Sequence, residues 1–408
     1  MGNSPTRPRL AVVSPTDLSS GRGAENILAG VLPALAARAD VLVLSLGPSD
    51  PEFLAVAAGC GATVVELDYR TRGWFVRDAD GLARRVAFEA SRWGAELVVL
   101  YWEIWDLVRA FARVLPPAGV RFSAFFHALP FVYAPARPRT FYLDGVLRPL
   151  HDRSAMALRY TACRLHHVGR LLSRIPVVSA NETVSHYLRR YFPRLEFAEA
   201  FPLCALDVPD DWYSGVDKRY DCVFMAKLIP GKGIHRLPEI FARIAVARPG
   251  ARMLVVGSFE RQRDRRRFEA ALARLGIADQ VDMAGWLRGR DKYAALASGR
   301  VFLYPSYAAD TFAIALLEAL ACGVPAITYD VPFSRAVYRT PAVRRCAIGD
   351  STVFADAALE ILSAEDSTEL SREAQTFASA YSSWEQVAEG QLSAFGLIST
   401  ATADNRHP

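Results

Sequence analysis

The sequence predicts an α/β protein built on doubly wound parallel sheets, on three observations. Short apolar runs recur along the first half of the chain (Leu10–Ser14, Val41–Ser45, Thr63–Leu67, Leu97–Tyr101, Phe122–Phe126 and Ile175–Ser179), alternating with segments of helical periodicity. The alternation resumes at Cys222–Ala226, Met253–Gly257, Val281–Gly285, Val301–Tyr304 and Pro325–Thr328, after an aperiodic stretch rich in Asp, Pro and Gly. The length, 408 residues, is enough for two domains of roughly 150–200 residues. Apolar strands separated by helices belong in parallel sheets, because a parallel pair needs a crossover and the crossover helices bury both faces. Residues 1–205 and 220–375 are therefore expected to form separate domains, with 206–219 as the linker.

With 51% hydrophobic and 22% charged residues, the composition is that of an ordinary globular protein. A formal net charge of +5 suits an anionic ligand or loose contact with an acidic membrane surface, and is far from a nucleic-acid-binding balance. Cys60, Cys163, Cys204, Cys222, Cys322 and Cys346 are scattered, form no C-x-x-C pair and lie partly in apolar runs. Buried thiols in a reducing compartment are expected, rather than disulfides or zinc ligands. No apolar signal core precedes Leu10–Val13 and no stretch is long enough to span a bilayer. The expected location is cytoplasmic, with the inner face of a membrane as the alternative.

In chain order, Leu10–Ser14 leads into a Ser- and Gly-rich loop and a helix from about Ala24 to Ala37. Gly21 and Gly23 begin a G-x-G pattern, yet its third glycine position is Asn26 and the loop is longer than a dinucleotide fingerprint allows. This disfavours a nicotinamide-dependent oxidoreductase. Asp78-Ala-Asp80 has a D-x-D spacing used to hold metals, but it precedes a helical pattern over Leu82–Trp93, so Asp80 is read as its N-cap and no metal site is expected. His127 stands at the carboxyl end of Phe122–Phe126, where doubly wound sheets collect ligands; it is either a site residue or a packed core group. Residues 130–150, rich in Pro and aromatics, read as a binding loop. Arg159–Arg174 reads as a basic amphipathic helix, packed on the sheet or lying on a membrane surface.

In the second half, Lys227 and Lys232 lie five residues apart on a strand-to-helix loop with Gly231 and Gly233, and a helix is expected from Ile234. Such a loop can cradle an anion, or simply carry two solvated lysines. The charge-dense segment Glu260–Arg267 reads as a solvated helix face. Residues 301–328 form a strand–loop–helix–strand unit with its helix over Phe312–Ala321. Glu318 is the odd residue there: its helical neighbours Ile314, Ala315, Ala321 and Cys322 are all apolar. A carboxylate on that face is costly unless something hydrogen-bonds it. A ligand diol would do so, and so would a basic residue from elsewhere in the core. Asp310, at the mouth of the preceding loop, is either the helix N-cap or a ligand contact.

Asp310, seven residues, Glu318 and then Ala-x-Ala-x-Gly-x-Pro resembles the acidic pair of the retaining, nucleotide-sugar-dependent glycosyltransferases of family 4. That family has the GT-B fold, two Rossmann-like domains facing across a cleft. Its first acid contacts the transferred sugar and its second holds the ribose hydroxyls. Asp310 stands where the family usually has Glu, and Thr311 and Ala313, on either side of Phe312, stand at its glycine positions. Ala226-Lys227…Lys232-Gly233 aligns with the family's G-R-x-x-x-x-K-G; lysine at 227 keeps the charge but loses the bidentate fork of arginine. Gly21 and Gly23 take the place of a glycine pair that lets acceptor and diphosphate approach the backbone. His127 takes that of a histidine contacting the sugar at the reacting centre, although Ala128 rather than Asp follows it. Relatives seat the base near Trp286–Tyr293. The pattern Phe377–Phe395 resembles the family's closing helix, expected over 376–398 and crossing back to the first domain.

The resemblance, densest over about 220–395, implies a hexosyltransferase that moves a sugar from a nucleoside diphosphate sugar to an acceptor hydroxyl with retention. It implies catalytic roles for His127, Lys227, Lys232 and Asp310. Donor contacts would come from Gly21, Gly23, Thr311, Phe312, Ala313 and Glu318. No metal, no cofactor beyond the sugar nucleotide and no nucleic-acid partner is expected, and peripheral membrane contact stays open. A non-catalytic sugar-nucleotide-binding protein of the same fold is the alternative that Asp310, Thr311 and Ala313 keep alive.

Overall fold

A computed structural model describes residues 7–14, 23–69, 78–101, 105–127, 168–206, 208–306, 311–364 and 368–399. They divide into two compact units. Of the described residues, the first unit holds those up to 127, then 168–205 and 383–399; the second holds those within 206–382.

In the first unit the strands are β1 (Arg9–Ser14), β2 (Asp40–Ser45), β3 (Thr63–Glu66), β4 (Leu97–Leu100), β5 (Arg121–Phe126), β6 (Val177–Ser179) and β7 (Ala198–Glu199). The helices are α1 (Gly23–Arg38), α2 (Pro51–Cys60), α3 (Ala79–Trp93), α4 (Trp105–Val114), α5 (Val168–Leu172) and α6 (Glu182–Tyr191). The strands join in the order β3-β2-β1-β4-β5-β6-β7, and every pairing is parallel. The central strands are buried along almost their whole length, with Val13 opposite Leu44 on one side and Leu100 on the other. This is why they read as continuous apolar runs rather than alternating ones.

The second unit repeats the arrangement with β8 (Tyr220–Met225), β9 (Met253–Val256), β10 (Val281–Gly285), β11 (Gly299–Tyr304), β12 (Ala326–Tyr329) and β13 (Val343–Cys346). Its helices are α7 (Leu237–Ala247), α8 (Gln262–Arg274), α9 (Gly289–Ala297), α10 (Ile314–Ala321), α11 (Pro332–Ala336), α12 (Ser351–Ser363) and α13 (Thr368–Ser379). The order β10-β9-β8-β11-β12-β13 is again parallel throughout. In both sheets the winding reverses beside the first strand, between β1 and β4 and between β8 and β11. Crevices at the carboxyl ends of such strands are where ligands bind in doubly wound sheets. The fold class expected from the sequence, two Rossmann-like units each built on a doubly wound parallel sheet, is the one found.

Some boundaries differ from expectation, each for a physical reason. Residues 206–219 are not a free linker but belong to the second unit. Trp212 packs on Tyr293 with ring centroids 5.7 Å apart, and Lys218 Nζ donates to Gly299 O at 2.9 Å. The terminal pattern is two helices, not one: α13 packs on α10, and α14 (Trp384–Ala394) packs on α1. Ser383 separates them, capping α14 by accepting from Gln386 N at 3.2 Å. At α3 the N-cap is Asp78, which accepts from Gly81 N at 2.8 Å, while Asp80 pairs with Arg113. Cys60, Cys204, Cys222, Cys322 and Cys346 are free thiols. Residues 130–150, Cys163 and the part of 159–174 before α5 lie outside the described residues. Among the described residues, no helix is long and apolar enough to cross a membrane.

Candidate functional site

In the second unit the two strands at the switch point, β8 and β11, send their following loops past each other. Gly233 makes this possible. It sits at φ +84°, and a Cβ there would overlap the carbonyl oxygen of Pro305, so only glycine lets the two backbones touch. The contact is also polar: Lys232 Nζ donates to Tyr304 Oη at 3.1 Å, and Ser306 Oγ reaches Gly231 O at 3.4 Å. Pro230–Lys232 turns as a single 3-10 turn, so α7 begins at Leu237 and not at Ile234. The ammonium of Lys227 pairs with Glu260 in the loop after β9, both side chains being 43% exposed. Exposed pairs of this kind contribute about 0–1 kcal/mol, so an incoming anion can displace the glutamate at little cost.

The loop after β11 leads to α10, whose N-cap is Ala313 with no side-chain cap. The helix therefore starts two residues later than its periodicity suggests, and Asp310, which lies outside the described residues, is not its N-cap. Tyr338 Oη donates to Ala313 O at 2.8 Å and pins this corner. Phe312 is buried against Tyr338 and Tyr381, with ring centroids at 6.1 and 5.6 Å. Its side chain is a core anchor. What Phe312 and Ala313 can offer a ligand is backbone, next to the positive end of the α10 dipole.

Glu318, in the middle of α10, is 9% exposed. Of the two partners expected for it, the structure shows the basic residue, and that residue is Lys292 of α9. Lys292 Nζ donates to Glu318 Oε1 at 2.7 Å, and Tyr293 Oη lies 3.4 Å from the same oxygen, long for an O–H···O bond. Among the described residues no hydrogen bond falls on Oε2. Lys292 also stands 4.4 Å from the centre of the Tyr293 ring, the ring that Trp212 covers. Below the pair, burial and the nearby Glu318 push the Cys322 thiol up to about 12, so it is protonated and inert. The sequence placed Lys292 and Tyr293 within the segment Trp286–Tyr293, where relatives seat the base, but did not point to either as a partner of Glu318. The test that flagged Glu318 applies to Lys292 too, since its neighbours one turn on, Ala295 and Leu296, are both apolar.

In the first unit His127 ends β5, 6% exposed, with its ring against Phe125 and Tyr101 at centroid distances of 4.6 and 4.9 Å. Asn181, the N-cap of α6, donates from Nδ2 to His127 O at 3.2 Å and so fixes the strand end. Burial lowers the imidazole from its ordinary 6.5 to about 3, so it is neutral at physiological pH. Tyr101 in turn exchanges two hydrogen bonds with Gln391 of α14, at 2.9 and 3.1 Å. Gly23 opens α1, and Gly21 lies outside the described residues. Of the residues singled out from the sequence, Lys227, Lys232, Thr311, Phe312, Ala313 and Glu318 thus share the second unit and His127 the first.

Residues 213–377 match the family described as glycosyl transferases group 1. A phosphatidyl-myo-inositol mannosyltransferase of Mycobacterium leprae is 29% identical over 134 residues, which are 33% of this chain and 34% of that protein. A GDP-mannose-dependent monoacylated alpha-(1-6)-phosphatidylinositol monomannoside mannosyltransferase of Corynebacterium glutamicum is 33% identical over 110 residues, 25% of this chain and 27% of that one. The chain thus spans about a third or less of the length of these curated relatives. Among solved structures, the sucrose-phosphate synthase of Thermosynechococcus elongatus superposes with a TM-score of 0.73 at 18% identity, over 97% of this chain and 100% of that one. HepE of Anabaena, in complex with UDP and glucose, gives a TM-score of 0.70 at 15% identity over 96% and 100%. At those identities the likeness is one of fold.

Proposed function

We propose, from the match of residues 213–377 to the glycosyl transferases group 1 family, that the protein transfers a sugar from a nucleoside diphosphate sugar to an acceptor hydroxyl in glycolipid or glycan synthesis, retaining the anomeric configuration. The carrying observation is Glu318, a buried carboxylate on the helix that follows β11, with one oxygen tied by Lys292 and the other bearing no hydrogen bond from the described residues. That oxygen has the acceptor capacity a ribose diol needs. Relatives named as mannosyltransferases of phosphatidyl-myo-inositol and of a phosphatidylinositol monomannoside, and a neighbour in complex with UDP and glucose, support a lipid-linked acceptor and a nucleotide donor.

As the bond from sugar to phosphate breaks, negative charge grows on the diphosphate. Lys227, Lys232 and the N-terminal backbone of α10 stabilise it without a metal, their dipoles and charges being in place before the reaction starts. Lys227 exchanges Glu260 for a phosphate oxygen in doing so. Asp310 binds hydroxyls of the sugar. His127, uncharged, contributes a hydrogen bond and no positive charge. The acceptor attacks the face the phosphate leaves, and the departing phosphate oxygen takes its proton.

Incubation with a panel of UDP- and GDP-sugars, with and without phosphatidylinositol or a mannosylated derivative, tests this through release of the nucleoside diphosphate. Release with one donor, lost in Glu318→Ala, is expected. Binding of a sugar nucleotide with no release under any condition would favour the non-catalytic alternative, and full activity of Glu318→Ala would overturn the assignment of the site.

A further inference from the structure

We infer that Lys292 is a positioning residue for the donor site: it orients the Glu318 carboxylate so that one oxygen, Oε2, is left to read the ribose of the nucleotide. The inference rests on the proposed function and adds to it a residue and a specificity. Three observations carry it. The ion pair is short, 2.7 Å, and it is formed by side chains only 23% and 11% exposed, so it is not an exchangeable surface contact like that of Lys227 and Glu260. Lys292 is itself held, with its ammonium 4.4 Å from the Tyr293 ring, and Trp212 backs that ring at 5.7 Å. Finally, the Lys292 ammonium addresses Oε1, the oxygen that Tyr293 Oη also faces at a longer 3.4 Å, while Oε2 receives no hydrogen bond from the described residues.

A carboxylate on a flexible side chain has several rotamers, and fixing one of them in advance removes an ordering cost from ligand binding. Two lone pairs remain on Oε2, enough for two hydroxyl donors on adjacent carbons. A nucleotide lacking one of those hydroxyls would leave the carboxylate partly unpaired in a buried place, which is how a polar site rejects a close analogue. Lys292 therefore sets how sharply the site tells ribose from deoxyribose, without touching either the sugar or the phosphates.

The test is a calorimetric titration of the wild type, Lys292→Met, Lys292→Gln and Glu318→Gln with UDP, GDP and their 2′-deoxy counterparts, alongside thermal melting of each variant. The wild type is expected to bind the ribose form of one nucleotide at least about tenfold more tightly than its deoxy form, the scale of one hydrogen bond to a charged group. In both Lys292 variants that ratio should fall towards one while the folded baseline is kept, and in turnover the donor KM should rise more than kcat falls. A full ribose preference in a folded Lys292 variant, with the preference lost in Glu318→Gln, overturns the role of Lys292 alone. No ribose preference in the wild type overturns the ribose assignment of Glu318 and this inference with it.

Discussion

The carboxyl edges of the two sheets handle a buried ionisable group in opposite ways. At the end of β5, His127 is packed between two aromatic rings and burial strips its charge. On α10, Glu318 is almost as buried, yet an ammonium from the neighbouring helix stands against it. The two sheets wind alike, but His127 follows the fifth strand of its unit and Glu318 lies on the helix after the fourth strand of the other. What sets their charge is the group opposite each, aromatic rings at His127 and an ammonium at Glu318. A doubly wound sheet supplies a place for a ligand; whether that place is neutral or charged is decided by a few residues on adjoining helices.

Four points on the molecule test whether charge is what separates the two edges. The largest effect is expected at Glu318: replacement by Ala removes the proposed ribose contact and should lower kcat/KM by a factor on the order of a hundred or more, two hydrogen bonds to a charged group being at stake. Kinetics with the true donor would check this, and a loss under tenfold would mean that the charged edge is structural. Next, Lys232→Met should cost about a hundredfold in turnover, as the loss of one preorganised donor to a developing charge does. Lys227→Met should cost less and depend more on salt, because its ammonium is exposed and shared with Glu260.

The third point is the neutral edge. Folded His127 titrates at about 3 against an ordinary 6.5. Between those values the unfolded chain takes up a proton that the folded chain refuses. Stability from this group is therefore complete above 6.5 and is lost as the pH falls towards 3. His127→Phe should flatten the dependence of Tm on pH over that window; an unchanged slope would show that the imidazole is not buried neutral. The smallest effect is expected at Glu260→Gln, which frees Lys227 and should tighten diphosphate binding by less than about fivefold, the worth of an exposed ion pair.

The chain itself showed much of the scaffold. β1, β4, β8 and β11 are buried on both faces, so their apolar runs marked them without ambiguity. Glu318 was legible because its own helix gave it no polar neighbour. Its partner was not, because Lys292 comes from another helix, and helical periodicity speaks only of contacts along one helix. The misread linker has the same origin: Asp, Pro and Gly mark turns, but Trp212 and Lys218 are anchored by contacts far along the chain. At Asp78 and Asp80 two acids competed for one cap, and Gly81, whose amide meets Asp78, settled it. Ser383 with Gln386 three residues on was a visible helix start inside the run read as one helix.

The helix that Ser383 opens has a bearing on the order in which the protein can be finished. Gly30 has no side chain, and the indole of Trp384 fills the space beside it, while Gln391 completes the hydrogen bonding of Tyr101. The first sheet is thus translated early but lacks a wall until residues 383–399 emerge, whereas the described part of the second unit, 206–382, is translated before them. On a ribosome, where units usually mature from the amino end, the later half would close first and the earlier half would wait for it.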